Sequence, residues 1–138
     1  MAVHGGLLRV QTPGDGAVVD LTEGVRSVVA RSGVQAGIAA VFAVGATVGV
    51  TTLEYEPGAV ADLRALLDRL IPPDAPYEHN ARNADTNAHS HLRAAVIGPS
   101  ETIPIVGGEL GLGTWQQVVL LDFDDRPRER IVSVQVLS

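Results

Sequence analysis

Three features of the chain predict an α+β fold with two packed antiparallel sheets and flanking helices. Short runs rich in Val, Ile and Thr, bounded by glycine, recur along the chain as strands do. Two stretches show helical spacing of apolar residues instead. Gly107-Gly108 lies between apolar runs, as a two-residue hairpin turn requires. Strands in runs with helices between them, rather than strict alternation, favour α+β over a parallel α/β sheet. The chain has 138 residues, the length of one domain spanning 1–138. Hydrophobic residues make up 46% and aromatics 4%, so its core must be built from Val, Leu, Ile and Ala.

In order, residues 7–11 read as a first strand. Pro13-Gly14-Asp15-Gly16 is a turn cluster, and 17–19 make a short return strand. Thr22 suits a helix N-cap; Val25, Val28 and Val29 share one face, and Gly33 supplies a left-handed stop. Residues 37–44 form a continuous apolar run, a strand buried on both faces. Residues 47–54 read as its partner. Pro57 fits a first helical turn. Val60, Leu63, Leu66, Leu67 and Leu70 then recur at helical spacing until Pro72-Pro73 ends the helix. Residues 74–86 are polar and irregular, a loop. Residues 87–97 form a short helix with Leu92, Ala95 and Val96 on one face, stopped by Gly98-Pro99. Strands follow at 101–106, 109–112 and 115–123, and a turn at 124–127 leads into the alternating strand 130–137.

Composition excludes several functions. A net charge of −6 argues against nucleic acid, which needs a basic face. The arginine run 126–130, interrupted by Pro127 and Glu129, reads as a solvated turn. With no cysteine there is no disulfide, thiolate ligand or thiol nucleophile. Every basic side chain other than histidine is arginine, so Schiff-base and P-loop lysine chemistry are absent. The first residues lack a basic and apolar leader, and the longest apolar run is too short and glycine-broken to span a bilayer; the expected location is the cytoplasm, with no membrane partner.

The candidate chemistry lies in histidines and a few neighbours. His79, His89 and His91 fall within thirteen residues. Imidazole is the commonest nitrogen ligand of zinc, and three protein nitrogens leave one position open for water or substrate. Positions two apart point away from each other on a regular helix but can converge where a helix begins. The alternative is three solvated histidines in an Asn-rich loop; His4 reads as an exposed terminal residue. Glu54 and Glu56 precede a helix and suit a general base or capping charges. Trp115 and Gln116 follow a glycine-rich turn, as ligand contacts or as a core tryptophan with its neighbour. Ser100 lacks a nucleophile-elbow setting, and Gly111-Leu112-Gly113 is followed by no helix.

The motif built from Gly98, Ser100, Ile103-Pro104-Ile105, Gly108 and Leu112-Gly113-Thr114-Trp115-Gln116 closely resembles the YjbQ family, also called UPF0047. The resemblance extends back through Tyr77-Glu78-His79 and the stretch 51–58. It implies a two-sheet sandwich assembled as a homotrimer, with a divalent metal, zinc above all, at histidines near a subunit boundary. It also implies, for some members, a weak thiamine-phosphate synthase activity that joins a pyrimidine pyrophosphate to a thiazole phosphate. Carried over by position, His79 and His91 match the family's histidines, Glu54 its strand-end glutamate and Trp115-Gln116 its Trp-Gln. Gly45-Ala46-Thr47 stands where many relatives have His-Thr-Ser or His-Thr-Thr, and His89 takes the place of the missing histidine. The expected assignment is therefore a metal at His79, His89 and His91, catalytic roles for Glu54 and Gln116, and contacts to a small phosphate-bearing substrate from Thr47, Arg93 and Trp115. The competing reading is a non-catalytic trimeric module that holds a metal or an anion.

Overall fold

A computed structural model describes residues 2–138. It contains β1 (Val3–Thr12), β2 (Ala17–Asp20), α1 (Thr22–Ser32), β3 (Ala36–Val44), β4 (Val48–Leu53), α2 (Pro57–Leu70), α3 (Glu78–Asn83), α4 (Ala88–Ile97), β5 (Ser100–Val106), β6 (Glu109–Leu110), β7 (Gln117–Asp122) and β8 (Arg128–Leu137). The strands form two antiparallel sheets, a five-stranded one in the order β1-β8-β3-β5-β6 and a three-stranded one in the order β2-β7-β4. This is the α+β class expected, although two pairings differ. β4 does not pair with β3: the chain leaves the large sheet at Gly45 (φ +152°) and β4 joins β7 in the small one. β8 does not close an edge but lies between β1 and β3, because its Val132, Val134 and Val136 are fully buried and a central strand lets both neighbours cover its backbone.

The small sheet separates two apolar layers. Val118 and Leu120 of β7, with Val48 and Val50 of β4, face the large sheet and α1. The alternate residues Val119 and Leu121, with Phe123, pack on Leu67 of α2 and Ala94 of α4. A period of two along β7 thus feeds both layers, and each buried Val or Leu contributes about 1.5–3 kcal/mol. α1 shares the inner layer through Val25, Val28 and Val29. It lies close on β1: a Cβ at Gly6 would stand 2.7 Å from Val28 Cγ2.

Most local expectations hold. Gly33 (φ +69°) ends α1, Pro57 opens α2, and Gly107 (φ +60°) and Gly108 (φ +81°) make the β5–β6 turn. Thr22 differs: it lies inside α1, where its hydroxyl donates to Asp20 Oδ1 at 2.6 Å and accepts from Val118 N–H at 3.0 Å. The loop 74–86 contains the six-residue α3, whose carbonyl turn is closed by Ala84 in the left-handed region (φ +49°). The strand expected at 115–123 begins only at Gln117. Trp115 is 74% exposed in the preceding turn, so it is not a core residue.

α4 reverses the expected face. Its buried side chains are Ala88, His89, Ser90, Arg93 and Ala94, whereas Leu92 and Val96 are exposed. Burial of the polar stripe is repaid by bonds. Ser90 Oγ donates to the Phe123 carbonyl, and Arg93 donates to the Ile71 carbonyl through Nε at 3.1 Å and Nη2 at 2.8 Å.

Candidate functional site

The side chains singled out in the sequence fall at two ends of the small sheet. Thr47 precedes β4 and Glu54 follows it, roughly 20 Å apart at the rise of an extended strand.

At the Glu54 end, Glu54, Tyr55, Trp115 and Gln117 line an open cleft of about 420 Å³. Gln116 is tied down beside it: Nε2 donates to Thr52 Oγ1 at 3.1 Å, and Oε1 accepts from Gly113 N–H at 3.0 Å. Glu56 is spent on α2, accepting from Gly58 N–H and Ala59 N–H, both at 2.8 Å; these bonds hold its carboxyl below the usual range. Asp20, also exposed on the cleft, accepts from the Thr22 N–H and hydroxyl, whereas the Glu54 carboxylate has no hydrogen bond among the described residues.

At the other end the three histidines separate. α4 is regular from Ala88 onward, so His89 and His91 project about 200° apart around its axis. His91 meets His79 of α3, with ring centroids 4.8 Å apart and planes tilted by 47°. His79 Nδ1 lies 3.0 Å from Asn80 Oδ1, which fixes Nδ1 as the donor and leaves Nε2 as the lone-pair nitrogen. That same Asn80 oxygen accepts from Ala88 N–H at 3.0 Å and so joins α3 to α4. His89 points instead into a cleft between α2, α4 and the β1–β2 turn. It is 8% exposed, and its Nδ1 is buried with no hydrogen-bond partner among the described residues. Burial, helped by the Arg93 charge, holds the imidazole below the ordinary histidine range, against an upward pull from Asp125, Asp15 and Asp124. Among the described residues no three His, Asp or Glu side chains form a group able to hold a metal. His79 and His91 are the two histidine rings brought side by side; the triad does not converge within one chain.

Thr47 belongs to a buried ionic cluster. Arg130 forks onto Asp122 through Nε (2.8 Å) and Nη2 (2.7 Å), and Nη2 also reaches Thr47 Oγ1 at 2.7 Å. Thr12 Oγ1 donates to Asp122 Oδ2 at 2.5 Å, and Thr47 Oγ1 donates to Asp124 Oδ2 at 3.2 Å. Arg128 pairs with Asp124 as well. Asp122 and Asp124 have no exposed surface, and Arg130 is 6% exposed. The arginine run is therefore not simply a solvated turn. One signal for this was in the sequence: Arg130 shares the parity of Val132, Val134 and Val136, the buried side of β8. Arg93, expected to contact substrate, spends Nε and Nη2 on Ile71 and Asp68, the latter at 3.0 Å.

Two antiparallel sheets, α1 packed on their inner layer, α2 and α4 over the small sheet, and a histidine couple between α3 and α4 define an α+β protein of one particular architecture. The chain belongs to the UPF0047 protein YjbQ-like family, whose sequence profile matches residues 7–138. A UPF0047 protein of Methanothermobacter thermautotrophicus is 39% identical over 119 residues, 86% of this chain and 81% of the relative. One from Mycobacterium tuberculosis is 39% identical over 115 residues, 83% of this chain and 84% of the relative. The fold is similar to the crystal structure of a YbjQ-like protein of unknown function from Sulfolobus solfataricus, with a TM-score of 0.94, 31% identity and coverage of 99% and 98% of the two chains. A hypothetical protein from Aeropyrum pernix gives a TM-score of 0.90 and 35% identity over 97% and 98%.

Proposed function

We propose that this YjbQ-family protein is a trimeric, metal-binding enzyme acting on a small phosphate-bearing substrate, with weak thiamine-phosphate synthase activity as the specific reaction. The observation that carries the reading is the His79–His91 pair, two rings 4.8 Å apart with the His79 tautomer set by Asn80. A divalent ion such as zinc, when bound there, would supply positive charge toward phosphate oxygens. The same reading requires assembly. Glu54, Trp115 and Gln116 lie at one end of the small sheet and the histidine pair at the other. A symmetric oligomer can bring the two ends of neighbouring copies to one boundary. In that arrangement Glu54 takes or holds a proton, Trp115 provides an exposed aromatic wall for a heterocycle, and Gln116, anchored on Thr52 and Gly113, orients the turn that carries it.

The test is elemental analysis of purified protein after incubation with zinc, followed by an assay for thiamine phosphate from the pyrimidine pyrophosphate and the thiazole phosphate. The expected result is a stoichiometric ion lost in His79→Ala and His91→Ala and retained in His89→Ala, with product formed by the metal-loaded protein and lost in Glu54→Gln. Wild-type protein that takes up no ion rejects the metal. An ion bound without product favours the non-catalytic metal-binding module, for which the bonded state of Arg93 and Gln116 already speaks.

A further inference from the structure

The cleft that holds His89 has a chemistry of its own. Its volume is about 170 Å³, and Asp15, Arg64, Asp68, His89 and Arg93 line it above a floor of Leu121 and Phe123. His89 and Arg93 stand four residues apart on α4, one turn, so both side chains enter from the same helix face. His89 is more than nine-tenths buried and lines the cleft, and its Nδ1, enclosed by the protein, has no hydrogen-bond partner among the described residues. Arg93 is held by Ile71 and Asp68, with Nη1 making no bond among the described residues. Across the opening, Arg64 uses Nη2 on the Asp15 carbonyl at 3.2 Å, and the rest of its fork makes no bond among the described residues. The rim is built to bring these groups close. Gly14, Asp15 and Gly16 all have positive φ (71°, 56° and 81°), and a Cβ on Gly16 would stand 3.5 Å from Arg64 Nε. A non-glycine residue held left-handed at a cleft rim is a cost retained where the backbone serves a site.

The charges decide the ligand class. Two guanidinium groups face two carboxylates. The Asp68 charge is taken up by Arg93 at 3.0 Å, whereas the Asp15 carboxylate lines the same cleft as His89 and makes no side-chain bond among the described residues. A bare oxyanion would meet Arg64 but also the Asp15 charge, and a bare cation would meet the reverse. A molecule carrying both an oxyanion and an ammonium group satisfies each. We propose that this cleft binds a small zwitterion, its phosphate or carboxylate on Arg64 and Arg93 Nη1 and its amino group toward Asp15, beside the His89 ring. The site is separate from the His79–His91 pair, which faces the other side of α4.

The test follows the His89 ring by NMR, assigned by its disappearance in His89→Asn, while 2-aminoethyl phosphate, inorganic phosphate and ethylamine are titrated in turn. The expected result is a saturable shift with 2-aminoethyl phosphate, and affinities about tenfold or more weaker for phosphate and for ethylamine. Asp15→Asn, a residue that accepts left-handed backbone, and Arg64→Gln on an exposed helix face preserve the fold and should each weaken binding about tenfold. His79→Ala should leave it unchanged, so this site survives even where the metal reading fails. No saturable shift of the His89 ring, or binding indifferent to both substitutions, overturns the proposal; phosphate binding as tightly as the zwitterion in wild type and in Asp15→Asn overturns the zwitterion assignment.

Discussion

Asp122 and Arg130 are the pair on which the small sheet and the large sheet depend at residue scale. Each alone would be an uncompensated buried charge, so the pair must be judged by what its halves leave behind. Arg130→Met removes two charge-assisted bonds from a fully buried carboxylate and should cost about 3–5 kcal/mol in urea unfolding. Adding Asp122→Asn to that variant should recover part of the loss, because the residual charge is gone. Asp124 sets a pH dependence. Burial pushes its carboxyl up, but the bond and charge of Arg128 and the bond from the Asp125 N–H outweigh it, and it lies below the ordinary range. A depressed folded value means stability present above the usual carboxylate range, about pH 4, and lost as pH falls through the folded value. The unfolding midpoint should therefore decline on acidification, and Asp124→Asn should flatten that decline; an unchanged slope would remove Asp124 as its source. None of this cluster was legible as a cluster in the sequence. The strand parity of Arg130 was visible, but its partners lie across the connection 123–127 and on two sheets. The histidines show the same boundary: their spacing was plain, and which ring faced which helix side depended on where α4 began.

Among the elements, α4 decides where the candidate groups point. It is held to β4 by close approach at Gly49, where a Cβ would stand 2.9 Å from Ile97 Cγ2 and 3.1 Å from the Gly98 carbonyl oxygen. Gly98 also accepts from Val50 N–H at 2.9 Å, so the helix stop and the strand share one contact. Gly49→Ala should cost about 1–3 kcal/mol by overpacking, and less in an Ile97→Ala background, which removes the Cγ2 methyl it meets. Hydrogen exchange of the α4 amides is the second reading; protection that stays at wild-type level would mean the helix does not bear on Gly49. Elements with a strong local signal were legible: α2 through its Pro57 start and leucine spacing, α1 through its glycine stop, the β5–β6 turn through two adjacent glycines. α3 was not, because six residues carry less than two turns of periodicity. The face of α4 was misread because Leu92 and Val96 look like core. The buried stripe is instead polar and is paid for by hydrogen bonds that no apolar pattern records.

The whole molecule leaves one sheet face uncovered. In-register positions of the large sheet place Leu7 opposite Ser133, Ser133 opposite Phe42, and Leu137 between Val3 and Ile38. Val3, Leu7, Ile38, Phe42, Val44 and Val106 are all exposed there, while the alternate residues fill the core. Apolar area of this kind, contiguous across four strands, is what soluble chains cover with a partner. Arg9 and Glu129 pair at 3.1 Å toward one end and give the face a polar rim. Leu92 and Val96 of α4 form a smaller exposed apolar site on the opposite layer, so the two surfaces can be told apart by substitution. If copies of the chain meet through the sheet, Phe42→Asp places a charge at its centre and should shift sedimentation from trimer to monomer with the fold retained. Val96→Asp should leave the assembly intact. The reverse pattern would move the contact to the helix layer. A monomer in the wild type would leave Glu54 and Trp115 permanently remote from the histidine pair and remove the basis for a shared site, since within one chain the length of β4 lies between them.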